Sequence, residues 1–199
     1  MKVRTIGIAA LLALHGGGAC AAGIEEMKPA APAAADKAAA ARTYNLPGHG
    51  ALQLQVPQAW RDILHQTSNE LPPIILFTPT AGEAFKIAVT PLYPHSQGMA
   101  QPTLADMRKS VEMAVEEARK QAVEKEIPIQ ELKGPSVTGY YFSVTDKSPK
   151  PGEYKYMTQG FFLAGGLAPT FTVLTNDGSE NIVAEALAML RNAVHVTKQ

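Results

Sequence analysis

The sequence lacks several features that would point directly to a stabilising device or a partner. It has one cysteine, Cys20, and one tryptophan, Trp60, among 199 residues, and 18 acidic side chains balance its 18 basic ones. A lone cysteine excludes a disulfide within the chain, so stability must come from packing. The balanced charge argues against a nucleic-acid surface, which usually carries a basic cluster. No apolar run reaches the roughly 20 residues that a membrane-spanning helix needs.

The N-terminus has the order of a secretory signal peptide, which we assign to residues 1–21. Lys2 and Arg4 precede an apolar stretch at positions 6–14, and small residues follow it. The small side chains there suit cleavage after Ala21 and release of a soluble periplasmic protein. Loss of the two leader cations leaves 16 basic against 18 acidic side chains, a net charge of −2.

Cys20 offers a second cleavage position. Cleavage before it would make it the first mature residue and a site for lipid attachment, which would hold the protein at a bacterial membrane. The three residues before Cys20 resemble a bacterial lipoprotein site in their small size, but the first of them, Gly17, replaces the expected large aliphatic residue. We therefore favour the released form and keep the lipid anchor at Cys20 as the alternative.

Residues 22–43 are predicted to be an Ala/Pro-rich flexible spacer. After Met27 this stretch has no large aliphatic or aromatic side chain, so it cannot bury enough surface to offset its ordering entropy. The alanines around 35–42 favour a transient helical turn, but Pro29 and Pro32 prevent a continuous helix from the leader.

One domain is predicted over residues 44–199, and the period of its apolar residues defines its elements. "ALQLQVP" at 51–57 alternates apolar and polar side chains, which predicts a strand that ends at Pro57. Two more strands are expected at 74–78 and around 85–89. A period of 3.6 then predicts a helix from Thr103 to Glu126, with Thr103 as N-cap and Asp106 three positions later.

The second half of the domain predicts three strands, "SVTGYYFSVTD", "YKYMTQGFFLA" and "PTFTVLTN", followed by a C-terminal helix capped by Ser179. Short connections between neighbouring strands favour antiparallel pairing. The fold class is therefore α+β, a mainly antiparallel sheet with a long central helix and a C-terminal helix packed on it. We expect the following side chains to be largely buried: Leu52, Leu54, Val56, Phe85, Ile87, Val89, Val111, Phe171, Val173, Leu187 and Leu190. The helices should also turn Leu104 and Val194 inward.

This order of elements, together with "VPQAW", "FTP" and "FKIAVTP", resembles the PsbP/Mog superfamily, including bacterial envelope proteins of the DcrB-like type. The resemblance covers residues 44–196. It implies a PsbP/Mog-like sandwich and an accessory or binding role without catalysis. No binding motif of the family can be matched to residues here, so it implies no site residues.

The histidines and glycines do not form a recognisable reaction centre. His49 lies between Gly48 and Gly50 immediately before a strand, which is typical of a turn and only secondarily of a ligand site. His95 and Met99 are four residues apart, a spacing that is compatible with copper binding, although a surface loop explains it more simply. No Gly-x-Ser-x-Gly elbow or phosphate-binding loop is present, so we predict no catalytic, cofactor-binding or metal-binding residues and no cofactor.

Aromatic residues are the candidates for a ligand or partner surface. Tyr140, Tyr141, Tyr154 and Tyr156 lie in two neighbouring strands, and adjacent Tyr140 and Tyr141 must point to opposite faces. The alternative is simple cross-strand packing. Trp60 is interpreted first as an anchor or lid of the core and second as a stacking platform.

The function predicted from the sequence is a non-catalytic exported envelope protein that acts as a binding or accessory module. Its partner would be an unidentified protein or small ligand of the envelope, with no nucleic acid, and with a membrane only through a lipid at Cys20. The alternative is a periplasmic enzyme of the hydrolase type whose polar residues meet only in the folded chain.

Overall fold

The computed structural model describes residues 39–66, 71–93 and 101–197. The signal peptide, Cys20, spacer residues 22–38 and the His95 and Met99 pair lie outside these ranges. The strands are β1 (Ala39–Asn45), β2 (Ala51–Pro57), β3 (Trp60–His65), β4 (Ile74–Pro79), β5 (Lys86–Thr90), β6 (Gln130–Lys133), β7 (Val137–Thr145), β8 (Tyr156–Ala164), β9 (Thr170–Thr175) and β10 (Val194–Val196). The helices are α1 (Leu104–Arg119) and α2 (Glu180–Arg191).

Two antiparallel sheets and the two helices form layers. A seven-stranded sheet has the order β3-β4-β5-β9-β8-β7-β6, and a three-stranded sheet has the order β1-β2-β10. The small sheet and α2 cover one face of the large sheet, where the main hydrophobic core lies. Helix α1 lies on the opposite face over β7 and β8. The predicted α+β class with a mainly antiparallel sheet is confirmed.

The predicted core is confirmed at every position named for it. The alternating strand β2 buries Leu52, Leu54 and Val56 completely, and the facing strands and both helices bury the other eight side chains to within 7% of full burial. A smaller second cluster joins Val111 and Val115 of α1 to the opposite face of β7. The long sheet therefore has apolar side chains on both faces along β7, as expected for a strand covered on both sides.

Helix α1 begins as predicted but ends earlier. Thr103 and Asp106 form a reciprocal capping box at its start. The predicted end at Glu126 is wrong, because α1 ends at Arg119. The residues that follow it hydrogen-bond to the end of β7 instead of continuing the helix. There the Val123 amide donates to the Thr145 carbonyl at 2.8 Å, and the Thr145 amide donates to the Glu124 carboxylate at 2.9 Å.

Both ends of the domain differ from the prediction for a shared reason. Strand β1 begins at Ala39, ahead of the boundary at Tyr44, and pairs with one side of β2. The chain after α2 forms β10 on the other side of β2. Pairing with β2 therefore outweighs the helical preference of the alanines in β1, since intrinsic propensity is a weak prior. It also leaves Val194 42% exposed on a strand, where the prediction turned it inward on a helix.

The prediction that α1 turns Leu104 inward was also wrong, because Leu104 is 39% exposed. Leu104 is the first residue of α1, at the end of the helix, while Met107, Val111 and Val115 further along are buried. Among the described residues, no helix is both long and apolar enough to pass through a bilayer.

Candidate functional site

The antiparallel register assigns every side chain of the large sheet to one of its two faces. Directly paired residues point to the same side, so Ile63, Leu76, Ala88 and Thr172 form one row across β3, β4, β5 and β9. The row continues to Phe142 on β7, which lies under α1. All five residues are therefore on the face that carries α1.

Helix α1 covers only part of this face. Its buried side chains meet those of β7 and β8, whereas the outward side chains of β3, β4, β5 and β9 are exposed or half-buried. We call this second part the open face. It comprises Arg61, Ile63, His65, Ile74, Leu76, Thr78, Lys86, Ala88, Thr90, Thr170, Thr172 and Leu174.

The open face is apolar at its centre and positively charged at one side. Ile63 is 58% exposed, and Leu76 beside it is half-buried. Arg61 and Lys86 lie in the adjacent row, where the Arg61 Nε atom donates to the Thr78 hydroxyl at 2.9 Å. The open face, as the described strands define it, has no acidic side chain. Such a surface suits an apolar partner that is acidic at its rim.

The predicted tyrosine surface is divided by the sheet. Tyr141 lies in the main core, 7% exposed, with its hydroxyl donating to the Gln130 side chain at 2.9 Å. Tyr140 points to the opposite face, as its position next to Tyr141 requires, and packs at the α1 cluster. The Arg108 guanidinium of α1 lies 5.5 Å from the centre of the Tyr140 ring. Neither ring is a free platform, because one is buried and the other is covered.

Tyr156 is the first residue of β8 and Tyr154 lies just before it, and both are half-buried. The Tyr156 hydroxyl and the Lys155 ammonium both bind the Asp177 carboxylate. Hydrogen bonds from Tyr156 and then from Lys155 hold the pKa of Asp177 below its usual value, while the bond to Asp177 raises the pKa of Tyr156. Their polar atoms satisfy one another, which fits a structural surface cluster.

Trp60 is 2% exposed and packs against two other core rings. Its ring centre is 5.1 Å from that of Phe85 and 6.3 Å from that of Phe77. This position is that of a core anchor and leaves little ring surface for stacking. An open cleft of about 410 Å³ lies above it, between the turn before β3 and the start of α2. Glu83 and Glu185 line this cleft, and its lining residues include neither histidine nor cysteine.

A polar cluster ties β1 to the edge strand β3. Asp62 points toward the core side, where the Arg42 guanidinium forms an ion pair with it and the Tyr44 hydroxyl donates to it at 2.8 Å. Arg42 also donates to the Trp60 carbonyl at 2.9 Å. Burial, followed by the bond to Asp62, raises the pKa of Tyr44 well above its ordinary value. The cluster satisfies an inward-pointing acid in β3.

The Gly-His-Gly stretch forms a turn, with positive φ at Gly48 and Gly50. The His49 ring stacks on Tyr93 with ring centres 3.9 Å apart. His195 of β10 connects this turn to another: its Nδ1 atom accepts from the Gly166 amide at 2.9 Å, and its Nε2 atom lies 2.8 Å from the His49 carbonyl. His195 must therefore carry its proton on Nε2, since Nδ1 accepts and the carbonyl needs a donor. His195 therefore links the turn at His49 to the turn at Gly166, which is a structural role.

Metal-ligating side chains do not converge in groups of three anywhere in the described ranges. Local structural partners hold Tyr140, Tyr141 and Tyr156 as well as His49 and His195, whereas the outward side chains of the open face are exposed or half-buried. The sequence signal for that face was a break in the alternation: Ile74, Leu76 and Ala88 are apolar although they lie at outward positions of their strands.

Comparisons with known proteins give structural neighbours only. No protein-family model matches the chain, and no curated protein matches its sequence significantly. Among solved structures, the chain is similar to cyanobacterial PsbP (CyanoP) from Synechocystis sp. PCC 6803. The TM-score is 0.46 at 12% identity, and the match covers 84% of this chain and 98% of CyanoP.

A second solved structure, of a protein from Bacteroides thetaiotaomicron VPI-5482, gives a TM-score of 0.41 at 8% identity. The match covers 74% of this chain and 45% of that one. The resemblance to the PsbP/Mog superfamily and to its DcrB-like type stays a prediction. At these values we take neither a function nor any site residue from the neighbours.

Proposed function

We propose that the chain is an exported, non-catalytic binding module of the bacterial envelope that docks a protein partner on the open face. The observation that supports this is the incomplete cover of the large sheet. Helix α1 buries the outward side of β7 and β8, but Ile63, Leu76 and their neighbours on the other strands keep exposed apolar surface. Contiguous apolar surface of this kind is typical of interaction sites.

The charge of the open face defines the chemistry of the partner. Arg61 and Lys86 are exposed beside the apolar row, and His65 lies at its other side. A matching protein surface would place apolar side chains over Leu76 and acidic side chains near Arg61 and Lys86. Such complementarity contributes to specificity and to the rate of association, and it weakens at high salt.

Capture from envelope extract with variants of the mature protein tests this proposal. Leu76→Glu should abolish capture of the partner, because it places a charge at the apolar centre, while Met113→Glu should not, since Met113 is 50% exposed on α1. Lys86→Glu should weaken capture and reduce its salt dependence, whereas Lys125→Glu, at another exposed lysine, should leave both unchanged. Equal capture by Leu76→Glu and Met113→Glu would rule out the open face.

The export part of the proposal rests on the leader and has its own measurement. The intact mass of the protein from its native host should correspond to an unmodified chain that begins at Ala22. A mass increase from acyl chains on Cys20 would establish the lipid-anchored alternative, in which the spacer holds the domain away from a membrane. A chain that still begins at Met1 would contradict both.

A further inference from the structure

The two edges of the large sheet are protected to different degrees. Strand β6, at one edge, spans only Gln130–Lys133, carries Glu131 and Lys133, and lies between Pro128 and Pro135. Short length, charge and flanking proline are devices that keep an edge from pairing with another chain. Strand β3, at the other edge, is longer, with six residues, and exposes Ile63 by 58% and Leu64 by 45%. It also carries Arg61 and Asp62, but the Asp62 carboxylate is bound by Arg42 and Tyr44.

The register shows which backbone groups of β3 point away from the sheet. The Thr80 amide donates to the Ala59 carbonyl at 2.9 Å, so these opposed residues form a hydrogen-bonded pair. Hydrogen-bonded and non-hydrogen-bonded pairs alternate along an antiparallel ladder. Arg61, Ile63 and His65 therefore bond to β4, while the intervening residues turn their amides and carbonyls outward.

One of these outward positions is already occupied. The Trp60 carbonyl accepts from the Arg42 side chain. Asp62 and Leu64 follow it, and β3 pairs with β4 alone among the described strands. The Asp62 carboxylate is held by Arg42 and Tyr44, so it does not lie unpaired at the edge.

We infer that β3 pairs antiparallel with the β3 strand of a second copy of this chain, with Ile63 on the two-fold axis. This register joins the outward groups of Asp62 to those of Leu64 in the other copy, and the reverse. Ile63 then opposes its own copy in a non-hydrogen-bonded pair, where side chains approach most closely. Arg61 opposes His65 of the other copy, and Asp62 opposes Leu64, so no two fixed like charges face each other.

The symmetry of the register favours a second copy over an unrelated strand. Both copies must present the same face in a continuous antiparallel sheet, and the dyad at Ile63 satisfies this condition while using the outward groups of Asp62 and Leu64. A dyad at Asp62 would instead oppose two carboxylates. The contact is limited to a few residues, so the dimer is weak and depends on concentration. It would join the two open faces into one surface, although it does not depend on their binding a partner.

Disulfide trapping tests the register in the chain that begins at Ala22, which contains no cysteine. Under mild oxidation Ile63→Cys should give a covalent dimer, because the two side chains meet at the axis. Val123→Cys is the control, since Val123 is 60% exposed and lies outside the sheet edge. Equal cross-linking of the two variants would overturn the proposed register.

Sedimentation of the native-sequence mature protein over a range of concentrations completes the test. Leu64→Pro removes an amide that points away from β4, so the ladder within the sheet is kept while half of the proposed intermolecular bonds are lost. Its dimer dissociation constant should rise about tenfold or more. Val123→Ala, outside the sheet edge, is the control and should leave the dissociation constant unchanged. A protein that stays monomeric, or a dimer that Leu64→Pro leaves unchanged, would overturn the inference.

Discussion

Truncation of Trp60 to alanine is expected to lower the free energy of unfolding by about 3 to 5 kcal/mol. Trp60 is 2% exposed and packs against Phe77 and Phe85, so its loss leaves a cavity where the main core meets the start of β3. For a domain of this size the change corresponds to a fall in melting temperature of roughly 6 to 20 °C.

Thermal unfolding with circular dichroism measures this effect, with Trp60→Phe as the control that keeps an aromatic ring in the site. The phenylalanine variant should lose clearly less stability than the alanine variant. An unchanged melting curve for Trp60→Ala, together with lost ligand binding, would instead support the stacking platform that the sequence left open.

Val111→Asp should destabilise the domain by at least about 3 kcal/mol, because it places an unpaired charge in an apolar cluster. Val111 is 3% exposed and packs with Val115, Phe142 and Val144 between α1 and the large sheet. Met113→Asp on the same helix is the control. Met113 is 50% exposed, so its substitution should change stability by no more than about 0.5 kcal/mol.

The pH dependence of the Val111→Asp effect provides a second check. Burial raises the pKa of the introduced carboxyl above its unfolded value, which favours the neutral form in the folded state. The penalty relative to the native sequence should therefore be full at neutral pH and shrink as pH falls toward about 4, where the unfolded chain also binds the proton. Urea unfolding at several pH values measures it, and a penalty independent of pH would contradict burial at this position.

Regular periodicity explains which elements the sequence could predict. Strand β2 alternates strictly, and α1 repeats apolar residues at helical spacing behind a capping box, so both follow from local pattern. The missed strands lack such a pattern. In β3 the inward position of Asp62 depends on Arg42 and Tyr44 from another strand, β6 is mostly polar, and β10 has only three residues. Their pairing is decided by strands distant in sequence.

The candidate surface was harder to predict than the fold, for a related reason. The sequence shows that Tyr140 and Tyr141 face opposite ways, but it does not show which side a helix covers. The structure places α1 over β7 and β8, where it packs against Tyr140, while Tyr141 is buried in the main core on the other face. The exposed and half-buried apolar surface lies on β3, β4, β5 and β9. Strand order, which brings β9 next to β5, determines this outcome.

Site-specific photo-cross-linking in the native host tests the central claim, that the open face binds a partner, most directly. A photoreactive residue at Leu76, half-buried at the centre of that face, should give a discrete adduct with an envelope protein, and the yield of the adduct should fall when Lys86→Glu is added. The same residue at Met113, which is 50% exposed on α1, should give no such adduct. Adducts at Met113 but not at Leu76 would contradict the claim.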